Sequence, residues 1–192
     1  MAIRWLLAAL HLLGLGVGLG AVWARGRAFQ AQLDVPGLRR VFYADTWWGI
    51  AAIVWIGTGL VRAFGGFEKG SFYYLHNHVF WAKMGLLAAI LFLEVGPMIA
   101  LIRWRAAVAR GSVPDTRAAS RFARISFVQA VLVVLMVLAA TALARGYGVP
   151  ARYGATHGWV SAFWKYFFIA PGVFSSAVAM YLVVAAWPGG KV

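Results

Sequence analysis

The chain has 192 residues, of which 63% are hydrophobic and only 12% charged, whereas a water-soluble domain is roughly half apolar and a quarter charged. That excludes a soluble globular class and leaves an all-α integral membrane protein, one helical-bundle domain over residues 1–192. A net charge of +13 would suit nucleic acid on a soluble fold, but here the basic residues sit between long apolar runs, as cytoplasmic loops do, so no nucleic-acid partner is expected.

The first apolar run, Ile3 to Ala24, is too long for a signal-peptide core. Trp23 and Arg25 also crowd the position a small-residue cleavage site would need, so it reads as a retained helix. His11 lies seven residues after Arg4, and Gly18 and Arg25 continue the same seven-residue stripe. Gly14/Gly18 and Gly16/Gly20 form G-x-x-x-G pairs, which let a helix or a flat cofactor come close to the backbone. His11 is thus either a histidine hydrogen-bonded between helices or a ligand.

A basic loop with Arg25, Arg27, Arg39 and Arg40 leads to a second span, about Thr46 to Ala63. Asp45, just before it, reads as an N-cap or a partner for loop arginines. A short connection, Gly65 to Ser71, follows. The third span opens between Phe72 and His78 and ends near Ile102. At 100° per residue His76, Lys83 and Glu94 fall on one helix face, a polar stripe that should point into the bundle. His78 lies off that stripe, near the interface, and paired histidines at i, i+2 point apart on a helix. Glu94, close to Pro97, reads as the partner of a cytoplasmic-side arginine or as one end of a proton path.

The next loop carries Arg103, Arg105, Arg110, Arg117, Arg121 and Arg124, before a fourth span, Ile125 to Leu143. A Gly/Pro/Tyr-rich link, Arg145 to Gly158, contains His157 and opens a fifth span with Lys165 near its start, ending at Trp187. The loops after the first and third spans hold ten arginines. The positive-inside rule therefore places the N-terminus outside and the C-terminus in the cytoplasm, as in a multi-pass protein of a bacterial inner membrane. All four histidines then belong to the outer half. Trp5, Trp47, Trp48, Trp104, Trp159 and Trp187 fall at span ends, where the headgroup boundary favours indole, and Trp55 reads as packing.

Without cysteine, thiolate metal sites, iron–sulfur clusters and covalent haem are excluded, so a bound metal or haem would rest mainly on histidine. Leu10-His11-Leu12 with its glycines, Trp47-Trp48-Gly49, and Tyr74-Leu75-His76-Asn77-His78 through Lys83 resemble a bacterial membrane family catalogued as domain of unknown function 2214. More distantly, the chain is similar to HemJ-type integral-membrane protoporphyrinogen oxidases, whose first-helix histidine and third-helix lysine match His11 and Lys83. Trp81 stands where their third-helix histidine would be, and the fifth span is additional.

That resemblance implies a b-type haem and electron transfer or porphyrin-linked oxidoreduction. His11 would be an axial ligand, with His76 or His78 as the second. Lys83 and Arg4 would pair with the propionates, and Tyr74, Phe80 and Trp81 would wall the ring. The expected partners are the bilayer, from the composition, and a quinone or porphyrin substrate; a homo-oligomer is left open by the sequence. Two other readings stand beside haem binding: a small transporter or proton pathway along the His76–Lys83–Glu94 stripe, and a non-catalytic assembly subunit.

Overall fold

The computed structural model describes residues 2–66, 70–145 and 147, all helices and short connections. Among the described residues four helices are long and apolar enough to cross a membrane: α1 (Ala2–Gln30), α2 (Val35–Phe64), α4 (His78–Ala109) and α5 (Ala119–Ala144). A short α3 (Gly70–Leu75) precedes α4. The fifth expected span, with His157 and Lys165, lies outside the described residues.

Each long helix outruns the span read from hydropathy, and this corrects the expected boundaries. At 1.5 Å per residue, helices of 26 to 32 residues rise about 39–48 Å, against a hydrocarbon core of about 30 Å. Apolarity marks only the part in lipid, whereas helical hydrogen bonding continues into the headgroup region. Hence Arg25 and Arg27 lie on α1, Arg39 and Arg40 on α2, and Arg103 and Arg105 on α4, not in loops.

Local signals set the ends. Asp34 caps α2, its carboxylate accepting from Gly37 N at 2.8 Å with Pro36 in the first turn. Asp45 is therefore no N-cap but lies well inside α2. Asn77 caps α4, its Oδ1 accepting from Val79 N at 2.8 Å and Phe80 N at 3.2 Å. This cap breaks the chain between α3 and α4 and takes His76 off the helix that carries Lys83 and Glu94, so the expected three-residue stripe does not form. Gly111, at φ +73°, closes α4 in a conformation that disfavours a side chain.

α1 packs against α2 and α5, and α4 against α5, while α2 and α4 approach only sparsely, so α1 and α4 stand on a diagonal. The ends of α1 and α4 and the starts of α2 and α5 gather most of the arginines at one end of the bundle, while Arg4, Arg62 and Arg145 stand at the other. Three layers of core fill it. Phe29, Leu38, Val41, Leu101, Trp104 and Phe122 pack at the basic end. Val22, Trp48, Trp55, Ile90, Val133 and Met136 pack in the middle. Ala63, Tyr74, Phe80 and Leu143 close the far end. Trp48 and Trp104, expected at the headgroup boundary, are both buried, whereas Trp47 beside Trp48 is exposed.

Candidate functional site

The most unusual residue in the bundle is Arg25, 0% exposed on α1. A guanidinium presents five N–H donors in a rigid fork, and here all five are matched. Nη1 donates to Asp45 Oδ1 at 2.8 Å and Glu94 Oε1 at 2.6 Å. Nη2 donates to Glu94 Oε2 at 2.7 Å and Gln129 Oε1 at 2.8 Å, and Nε to Ser126 Oγ at 3.2 Å. One side chain of α1 thus ties α2, α4 and α5.

Glu94 does the same from α4. Besides the Arg25 fork, its Oε2 accepts from Trp48 Nε1 at 3.0 Å and Gln129 Nε2 at 2.8 Å. Asp45 accepts through its second oxygen from Arg105 Nη2 at 3.1 Å. That nitrogen also reaches Phe42 O at 2.7 Å and Thr46 Oγ1 at 3.2 Å. Two arginines and two carboxylates make the cluster neutral, as a low-dielectric site requires. Its edges are not sealed: the Asp45 and Glu94 side chains keep 17% and 18% exposure.

His11, buried on the Arg25 stripe, lies 14 residues earlier, about 21 Å along the helix. Its Nδ1 is 3.0 Å from Trp55 O and 3.1 Å from Thr58 Oγ1. A carbonyl only accepts, and the Thr58 hydroxyl already donates to Val54 O at 2.6 Å, so Nδ1 carries a proton. His76 Nδ1 likewise meets Phe72 O at 2.8 Å. His78 is the exposed first residue of α4, Lys83 is half-buried one turn on, and Arg4 is exposed near the start of α1. Among the described residues no hydrogen bond or ring contact joins His11 to His76 or His78, and no group of three His or carboxylate side chains could hold a metal ion. Tyr74, Phe80 and Trp81 pack on one another, with ring centroids 5.5 Å and 5.6 Å apart along the series.

Residues 3–148 match the family described as "Predicted membrane protein (DUF2214)". The chain belongs to the DUF2214 family. No curated protein and no solved structure matches it. In this DUF2214 chain the matched stretch carries the whole Arg25 cluster and His11, while His157 and Lys165 lie beyond it.

Hydropathy pointed to Glu94 and Asp45 and to an arginine as partner, but placed Arg25 in a loop and passed over Ser126 and Gln129. Two signals were available. Arg25 falls in register with His11 and Gly18, and Gln129 is a lone amide inside an apolar run, where a polar group needs a partner.

Proposed function

We propose that this protein is a small multi-pass inner-membrane protein that passes protons, with the Arg25–Glu94–Asp45 cluster as its working centre. One observation carries the reading: Glu94 is the common acceptor for donors from three other helices, so the protonation state of one carboxylate governs how the bundle is held. Ionisable residues inside a membrane bundle commonly mark ion pathways and proton relays. A metal cation fits poorly, because the carboxylate oxygens are occupied by guanidinium and amide donors, whereas hard cations need six or more oxygen ligands.

Protonating Glu94 replaces an acceptor with a donor and gives the neutral cluster one net positive charge. Its bonds to Arg25, Trp48 and Gln129 then cannot all persist. Relaxing them loosens α4 across the diagonal, leaving the Phe29–Trp104 contact as a hinge at the basic end, and opens the apolar layer around Val22, Ile90 and Met136 towards His11, the second polar station on the far side. Purified protein in liposomes with an internal pH dye, driven by a potassium diffusion potential, should acidify or alkalinise faster than empty vesicles. Glu94→Gln should abolish the difference while eluting as a folded protein. Flux equal to empty vesicles would remove the proposal.

A second reading, haem binding with electron transfer or porphyrin oxidation, is favoured by the Nδ1 hydrogen bond of His11. An imidazole whose Nδ1–H is held by a backbone carbonyl has the orientation and basicity of a metal-ligating histidine. His11 would hold the iron with His76 or His78, Lys83 and Arg4 would neutralise the propionates, and a quinone or porphyrin would be the redox partner. A dithionite-reduced spectrum of protein made with haem supply decides it: a sharp α-band lost in His11→Ala supports this reading, and a colourless protein removes it.

A further inference from the structure

Between α1 and α2 at the basic end lies a groove of about 510 Å³, lined by Ala24 and Ala28 of α1 and by Arg39, Arg40, Tyr43 and Ala44 of α2. Its floor is alanine, which lets the two helices leave a trough instead of a filled seam. Tyr43, 69% exposed, forms an edge contact with the exposed Trp47 ring at 6.3 Å between centroids. An exposed Tyr–Trp pair one turn from arginines is the arrangement expected where hydrocarbon gives way to headgroups. Above it stand Arg39 and Arg40, both exposed, with exposed Arg27 on the adjoining surface of α1.

Among the described residues none of these three arginines has a carboxylate partner, although the basic end supplies several. Asp45 is held by Arg25 and Arg105, Asp115 by Arg117, and Asp34 caps α2. The protein thus presents an apolar trough on its lipid side capped by uncompensated positive charge at headgroup depth.

We propose that this groove binds an anionic phospholipid, its phosphate between Arg39 and Arg40 and one acyl chain along Ala24, Ala28 and Ala44. The apolar floor suits an acyl chain and excludes a free hydrated phosphate as the preferred ligand. The paired guanidiniums select an anionic headgroup over a zwitterionic one, since each cation near the surface adds about fivefold to the attraction. The site is independent of proton passage, because none of its residues belongs to the Arg25 cluster.

The test is native mass spectrometry of the full chain in detergent, titrated separately with phosphatidylglycerol and phosphatidylcholine. Phosphatidylglycerol should bind preferentially, and the double variant Arg39→Ala/Arg40→Ala should weaken it roughly 30-fold. Ala28→Phe fills the trough with every charge intact, and should also lose the preferred adduct. Arg121→Ala/Arg124→Ala, at the same end on α5, should not. Equal binding of both lipids, an Ala28→Phe variant that binds like the parent, or full competition by inorganic phosphate would each overturn the site.

Discussion

Arg25 and Glu94 reach each other across the diagonal of the bundle as a two-pronged pair, Nη1 to Oε1 at 2.6 Å and Nη2 to Oε2 at 2.7 Å. The backbones of the helices that carry them stay apart, so side chains join α1 to α4: this pair with its satellites, and the edge contact of the Phe29 and Trp104 rings at 6.1 Å nearer the basic end. Removing one member of such a buried pair leaves a desolvated charge and costs about 3–5 kcal/mol, whereas replacing both with apolar groups of similar size costs far less. Glu94→Leu or Arg25→Met should therefore lower the melting temperature in detergent sharply, and the double variant should recover much of the loss. A Glu94→Leu protein that melts with the parent would show that the pair is not what holds the diagonal.

The glycines of α1 should divide by position. A methyl at Gly14 would stand 3.1 Å from Trp55 N and 3.3 Å from Ala51 O, both backbone atoms that cannot step aside, while one at Gly16 or Gly20 meets nothing within 4 Å. Gly14→Ala should destabilise by about 1–3 kcal/mol through overpacking. Gly16→Ala should be neutral or stabilising by up to about 1 kcal/mol from helix propensity. Thermal unfolding of the two variants side by side reads the difference directly.

How much of this was legible beforehand follows from what periodicity can and cannot carry. Apolar runs located four spans, and the arginine pattern placed the basic termini together, because both are properties of single segments. The sequence shows two G-x-x-x-G pairs on α1, but only Gly14 and Gly18 face α2, and that choice depends on the partner helix. Asn77 was readable as a helix-capping type, yet an assumed continuous helix from Phe72 hid the break that separates His76 from Glu94. Trp48 and Gln129 acquire their meaning only from Glu94, dozens of residues away.

Asn77 itself should be sensitive. Besides capping α4, its Nδ2 donates to Tyr147 O at 3.0 Å, so the side chain also ties the start of α4 to the chain just past α5. Asn77→Ala should cost about 1 kcal/mol or more for the lost cap and speed amide exchange at Val79 and Phe80. Asn77→Asp keeps the cap but cannot donate to Tyr147, and should restore protection at Val79 and Phe80 alone.

In the exposed turn between α4 and α5, Arg117 holds the Asp115 carboxyl down at about 2 by hydrogen bonding, from an ordinary 3.8. A depressed acid contributes stability that is complete above its unfolded value and is lost as pH falls through the folded one. The pair therefore adds almost no pH dependence between about 5 and 8. Asp115→Asn should leave the melting profile over that range unchanged, and a melting shift near neutrality belongs to other groups.

His11 offers the sharpest separation among structural, proton-passing and haem roles. Its Nδ1 bond to Trp55 O stabilises the α1–α2 seam, and Asn can offer an amide donor at about the same reach. If His11 only fastens helices, His11→Asn should melt near the parent and leave proteoliposome flux and any chromophore unchanged. Asn does not titrate near neutrality, so a proton station there requires His11→Asn to cut the flux severalfold without a matching loss of fold. An amide is also a poor iron ligand, so an axial role requires the reduced α-band to disappear in the same variant. Measuring melting, flux and spectrum on His11→Asn therefore assigns the residue, because each role moves a different readout.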